Sequence, residues 1–261
     1  MEVRKFDHGD WSLSYAVMGT GSRNFVMLPG VSLHSVIQSA HAVETAYASF
    51  LTDYTIWLME RRDVVPEGET VEEMTADTVT VMESLGISDA YVFGASHGGM
   101  MAQVLAAEYP SLIKKAVYAS TLASQNEVSK NIFGEFIRLC REHKIRELNR
   151  LFFDVLYSGD FLEANKQALE RMLGLGTKEE AERLGILFES CAAFSYAENL
   201  SKITCPSLAI GAWNDRAVSG AASVEIAERI GCPFLMYGKY GHAVYDEAPD
   251  YKKRLKEFFD A

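Results

Sequence analysis

The sequence has no surplus of positive charge, no long apolar run and few cysteines. Its 25 Lys and Arg stand against 36 Asp and Glu, a formal net charge of −11. With no surplus of cations to neutralise phosphates, the balance argues against a nucleic-acid or anionic-membrane partner, and small neutral or weakly charged molecules remain. No apolar run approaches the roughly 18 residues of a bilayer span, and the start MEVRKFDHGD carries no apolar segment with a cleavage pattern. A cytoplasmic protein with no membrane insertion is expected. The four cysteines, Cys140, Cys191, Cys205 and Cys232, include no C-x-x-C pair, which argues against a disulfide framework or a zinc site and for buried thiols. No pair of histidines has metal-ligand spacing with a third ligand nearby, so no metal and no cofactor is expected. Nothing in the pattern fixes an oligomeric state.

What is present fits one domain with an insertion: 261 residues, 48% hydrophobic, 23% charged. Residues 3–8 and 11–18 read as paired strands around a Gly-Asp turn, followed by the apolar run Phe25-Val26-Met27-Leu28 ending at Pro29-Gly30. Apolar runs then alternate with helical patterns: a strand over 55–59, a helix over 71–85, a strand over 90–95 and a helix over about 97–109. Such alternation predicts a mostly parallel sheet with crossover helices. Thr70 and Glu73 form a capping box for the first of these helices. After the run 113–119 the rhythm changes, and residues 124–202 contain only helical patterns, at about 131–143, 145–157, 161–173 and 178–196, the last opened by the box Thr177-x-x-Glu180. Strand signals resume at 207–211 and 234–237, with helices near 220–230 and 249–259. The reading is a core of residues 1–123 and 203–261 with a helical cap over 124–202.

Gly94-Ala95-Ser96-His97-Gly98 fits G-x-S-x-G in the context the pattern needs, after a predicted strand and at the start of a predicted helix. A strand that turns abruptly into a helix strains the serine, and side chains two residues to either side would collide with backbone. The helix start also aims free amides and the positive end of its dipole at the serine, which favours an oxyanion there. A nucleophilic serine needs a base and an acid, expected in the chain order Ser, Asp, His. Asp215 follows the run 207–211, and His242 follows the run 234–237. All three thus fall beyond strand carboxyl ends, where open α/β sheets bind ligands.

In these segments the chain resembles the α/β-hydrolase fold superfamily. GASHGG, GAWND and GHAVYDEAP resemble the nucleophile, acid and histidine regions in order and spacing, and LPG at 28–30 resembles the oxyanion loop. The resemblance covers essentially the whole chain, with 124–202 in the place of the variable cap. It implies an eight-stranded, mostly parallel twisted sheet flanked by helices. It also implies a cofactor-free serine hydrolase acting on a small carboxylic ester or related acyl compound. By position, Ser96 is the nucleophile, His242 the base and Asp215 the residue that orients the imidazole, while the backbone N–H groups of Val31 and His97 hold the oxyanion. The His97 side chain has no part in that triad. Thioester, lactone, amide and carbon–carbon bond cleavage use the same residues, and a receptor of small molecules on the same fold is the alternative. A dehalogenase is disfavoured by a serine where such enzymes carry a carboxylate. Two departures stand out. Pro29-Gly30 replaces a frequent His-Gly, and Glu60-Arg61-Arg62-Asp63 lacks the usual Gly-rich sequence, a change expected to alter the pocket wall.

Other residues have weaker claims. Asp63 is the alternative acid. Asp246 and Glu247 lie too near His242 in sequence to reach its far ring nitrogen and are read as caps of the last helix. His34 is read as a surface or supporting residue close to the oxyanion loop. Most of the insertion's aromatic positions, among them Phe133, Phe136, Phe152, Phe153 and Phe188, are read as the buried faces of amphipathic helices, with a few turned to the serine.

Overall fold

A computed structural model describes residues 1–261. Strands β1 (Glu2–His8), β2 (Trp11–Met18), β3 (Arg23–Leu28), β4 (Tyr54–Arg62), β5 (Ala90–Ala95), β6 (Ile113–Ala119), β7 (Ser207–Ala212) and β8 (Phe234–Tyr237) form one eight-stranded sheet in the order β1-β2-β4-β3-β5-β6-β7-β8. The β1–β2 and β2–β4 pairs are antiparallel and all the others parallel. The apolar runs account for this arrangement. Strand β7 is buried at every position, as a parallel strand covered on both faces must be, whereas β1, at the antiparallel edge, is almost wholly exposed.

Helices α1 (Ala40–Ala46) and α10 (Tyr251–Asp260) cover one face of the sheet, with a short α9 (Val244–Glu247) before α10. Helices α2 (Val71–Ser84), α3 (His97–Glu108) and α8 (Gly220–Ile230) cover the other. Between β6 and β7 the chain adds α4 (Glu127–Arg141), α5 (Ile145–Leu156), α6 (Gly159–Met172) and α7 (Lys178–Ala193). The core that underlies α2, α3 and α8 continues without a break into α4, α5 and α7. There Phe136 stacks on Phe188 with centroids 4.3 Å apart, and Phe133, Phe136, Phe152 and Phe188 are all buried. The inserted helices therefore share the main core.

The expected capping boxes at Thr70/Glu73 and Thr177/Glu180 are both formed. Helix α4 starts four residues earlier than its pattern suggested, because the Asn126 side chain accepts from Ser129 N and Ser129 Oγ accepts from Asn126 N. Helix α1 has no counterpart in the sequence reading. The final helical segment is split in two by Ala248-Pro249, since proline disfavours helical backbone in the residue before it. No helix is long and apolar enough to cross a membrane.

Candidate active site

Ser96 sits between β5 and α3 with φ 53° and ψ −118°, a conformation that costs a non-glycine residue roughly 1–3 kcal/mol. Neighbouring backbone holds it there. Ser96 N donates to Ala119 O at 2.8 Å, and Thr121 Oγ1 donates to Ser96 O at 2.7 Å. The flanking glycines are required by space: a Cβ on Gly98 would lie 1.9 Å from Leu28 O, and one on Gly94 would lie 2.2 Å from Gly98 O.

Asp215 and His242 come together in the interior. His242 Nδ1 donates to Asp215 Oδ2 at 2.8 Å, and both side chains are 1% exposed. The other carboxylate oxygen accepts from Ala217 N at 2.8 Å and Val218 N at 3.0 Å. With three donors converging on it, the carboxylate acts only as an acceptor, so Nδ1 carries the ring proton and Nε2 is the free basic nitrogen. Nε2 makes no hydrogen bond within the chain. No hydrogen bond joins it to Ser96 Oγ in this structure, a link that in unliganded sites often tightens only when substrate is bound.

The loop after β3 closes on the serine, since a Cβ at Gly30 would lie 3.2 Å from Ser96 Cβ. The N–H groups of Val31, in this loop, and of His97, at the start of α3, have no hydrogen-bond partner. Both belong to the end of the sheet that carries Ser96. Beside Val31 a cavity of about 310 Å³ runs beneath the insertion, bounded by Leu33, Asn149, Phe152, Phe153, Leu156 and Tyr157 among others. His34 also borders it, and its Nδ1 lies 2.8 Å from Glu180 Oε1.

Below the loop lies a buried charged cluster that had no signal in the sequence beyond the departure at 60–63. Arg61 is 4% exposed. Its Nη1 donates to Gly30 O at 3.1 Å, and its Nη2 donates to Pro29 O and, at 2.8 Å, to His97 Nδ1. Arginine only donates, so His97 is protonated on Nε2, which donates to Ser190 Oγ at 3.2 Å; that hydroxyl donates to Leu187 O at 2.8 Å. Burial, reinforced by the Arg61 and Arg183 cations, holds the His97 imidazole well below the usual histidine range, hence neutral. Burial likewise lowers the Arg61 guanidinium to about 10, while Glu60 opposes that shift. Glu60 Oε1 accepts from Arg61 N and from Arg183 Nη2 of α7, each at 2.9 Å. Burial pushes the Glu60 carboxyl up, but Arg183, Arg61 and the hydrogen bonds to it outweigh burial and leave it below its ordinary value.

The lesser candidates lie elsewhere. Asp63 pairs with Lys5 and Ser12 at the antiparallel edge. Glu247 does not cap α10: it accepts from Gly241 N and Ser158 N and so ties the histidine loop to the start of α6. Asp246 borders a separate cavity with Tyr47 and Phe93 and caps nothing. Cys140 and Cys191 are buried, with thiols pushed up to about 12 by burial, whereas Cys205 and Cys232 are half-buried.

The sequence profile of the alpha/beta hydrolase fold matches residues 49–249. The chain belongs to the alpha/beta hydrolase fold family. Among curated relatives, it is 24% identical over 190 residues to "Putative carbamate hydrolase RutD" of Stutzerimonas stutzeri (strain A1501), covering 71% of this chain and 72% of that one. It is 22% identical over 160 residues to 3-oxoadipate enol-lactonase 2 of Acinetobacter baylyi (strain ATCC 33305 / BD413 / ADP1), covering 61% of this chain and 59% of that protein. Among solved structures, MGS-M2, an alpha/beta hydrolase enzyme from a Medee basin deep-sea metagenome library, superposes with a TM-score of 0.87 at 21% identity, covering 99% and 98% of the two chains. The fold is thus that of the alpha/beta hydrolase family over the full chain, and the curated relatives place the protein among its hydrolases.

Proposed function

We propose that the protein is a cofactor-free serine hydrolase that cleaves a small carboxylic ester or related acyl compound through an acyl-enzyme on Ser96. The observation that carries this reading is the buried His242–Asp215 pair with its free Nε2. It lies beyond the carboxyl ends of β7 and β8, two and three strands away from the β5 end that holds Ser96. The names of the relatives, a carbamate hydrolase and an enol-lactonase, widen the substrate class without changing the chemistry. Esters, carbamates and lactones each present a carbonyl carbon bonded to an oxygen or nitrogen leaving group.

In this mechanism Ser96 Oγ attacks the carbonyl carbon while its proton passes to His242 Nε2. Asp215 fixes the Nδ1–H tautomer and stabilises the imidazolium. The carbonyl π pair moves onto oxygen, and the amides of Val31 and His97 donate to the resulting oxyanion, each such donor being worth roughly 3–4 kcal/mol in acyl transfer. Collapse expels the leaving group, which takes the proton from Nε2. Water then attacks the acyl carbon, giving its proton to Nε2, and the second collapse releases the acid and restores the Ser96 hydroxyl. Helices α4–α7 act as a cap over the cavity beside Val31, which receives the acyl group.

A fluorophosphonate probe, combined with p-nitrophenyl acetate and butyrate, a phenyl carbamate and a small lactone, tests this. Labelling is expected at Ser96, with turnover of at least one class lost by roughly 10⁴-fold or more in Ser96→Ala. Wild-type turnover in Ser96→Ala, or no labelling and no turnover in the wild type, would overturn the assignment, and the second result would favour a receptor.

A further inference from the structure

The proposed mechanism uses the N–H of His97 and leaves its buried ring, together with Arg61, Glu60 and Arg183, without a task. A guanidinium this deeply buried is costly unless its donors are matched, and an ion pair of this kind is a weak source of net stability. Yet three of the four groups its side chain touches belong to two segments only, the loop after β3 and the start of α3.

The peptide bond explains what such contacts control. In a trans peptide the carbonyl of one residue and the N–H of the next lie in one plane and point in opposite directions. Gly30 O and Val31 N–H are the two ends of a single peptide unit, so a donor that fixes Gly30 O sets the direction of the Val31 N–H. Arg61 Nη1 is that donor. The same guanidinium reaches Pro29 O one peptide earlier. Its Nη2 also contacts Nδ1 of His97, whose backbone N–H is the other free amide. A planar fork with fixed donor angles suits this bridging in a way that a lysine ammonium does not. The charge matters as well. Arg61 and Arg183 both pair with one carboxylate, Glu60, and His97 is neutral, so Arg61, Arg183, Glu60 and His97 together carry one net positive charge, with the Glu180 carboxylate near Arg183 at the outer end.

We propose that Arg61 is a positioning residue of the oxyanion site: it brackets the Gly30–Val31 peptide and the His97 ring so that both amides point at one spot, and Glu60 and Arg183 anchor this bracket to α7. The proposal rests on the acyl-transfer reading above and names the residues that pre-set its electrostatics. Because the Arg61 donors act through other groups, their loss costs less than the loss of an amide.

The test compares Arg61→Met, Arg61→Lys and Arg183→Gln with the wild type, each normalised to active sites titrated by fluorophosphonate. Four quantities are measured: kcat and KM for p-nitrophenyl butyrate, inhibition by a trifluoromethyl ketone that forms a Ser96 hemiketal oxyanion, and the melting temperature. Arg61→Met is expected to lower kcat per active site by roughly 30- to 100-fold with KM within about threefold, and to weaken the ketone by a similar factor. Arg61→Lys is expected to recover part of both, and Arg183→Gln to lower kcat by about fivefold. An unchanged kcat per active site and unchanged ketone affinity in Arg61→Met would overturn the proposal, even with a lowered melting temperature. Should Arg61→Met not fold, the same two readings on Arg61→Lys and Arg183→Gln decide in the same way. Wild-type protein that neither labels at Ser96 nor turns over any acyl compound removes the hydrolase reading and this role together. Normal labelling with indifferent Arg61 variants removes only the role.

Discussion

Glu69 shows what burial without full compensation does to a single residue. It is 6% exposed, its Oε2 has no partner, and its one cation, Arg62, lies 3.3 Å away while already holding Asp77 at 2.6 and 2.7 Å. Burial therefore raises the Glu69 carboxyl from 4.5 to about 7, with Arg62 opposing the shift and Asp77 adding to it. The folded state thus binds this proton more tightly than the unfolded chain. Stability from this residue is complete below about pH 4.5, falls as pH rises towards 7, and is gone above that. Glu69→Gln is expected to melt close to the wild type at pH 4.5 and to be more stable at pH 8 by ~1–3 kcal/mol; a difference independent of pH in thermal melts would refute this. A shift of this kind depends on which groups tertiary packing brings near, and nothing local to Glu69 announces it. The same holds for Arg61. Its position in the run Glu60-Arg61-Arg62-Asp63 marks a departure from the family, but the carbonyls it meets are about thirty residues away.

At the scale of elements, the turn from β5 into α3 was the most legible part of the sequence, because small residues there answer to a steric demand. That demand is large: Gly98 Cα faces Leu28 O with no room for a methyl group. In Gly98→Ala the β3 end or the α3 start must move, so the variant is expected to lose Ser96 labelling by fluorophosphonate and to melt several degrees lower. A variant with wild-type melting and labelling would show that the turn is looser than its geometry. Helix ends were legible where the cap follows the Ser/Thr-x-x-Glu pattern, as at Thr70 and Thr177. The start of α4 was missed because its reciprocal bonds use Asn126 and Ser129. Helix α1 was missed because it has seven residues and no side-chain cap, and Tyr47 and Phe50, which secure it to the sheet, lie beyond its end.

At the scale of the molecule, alternating runs were enough to indicate a mostly parallel sheet, and the absence of strand signals over 124–202 indicated the inserted helices. Strand order was not legible in the alternation of runs, since β3 lies between β4 and β5 against the order of the chain. Substrate size could not be read from composition, because amphipathic helices present the same aromatic residues to a core or to a ligand. Here the core takes Phe133, Phe136 and Phe188, while Phe152 and Phe153 border the cavity beside Val31. A volume of about 310 Å³ lies at the lower end of small-molecule sites. In a series of p-nitrophenyl esters, kcat/KM is expected to be highest for short acyl chains and to fall steeply by about ten carbons. Phe153→Ala should move the optimum to longer chains, and a flat profile in both proteins would rule this cavity out as the acyl site.

The inserted helices are also fastened to the rim they cover. The Leu156 carbonyl, at the end of α5, accepts from Ala243 N, next to His242, at 2.8 Å, and a Cβ on Gly241 would lie 2.6 Å from that carbonyl oxygen. On the other side Arg183 of α7 grips Glu60. A hinge that swung the whole roof outward would pull on the imidazole and on the amide cradle at once. The fastenings of the roof are thus also the fastenings of the machinery beneath it, which favours a roof that stays down while the chemistry stays assembled.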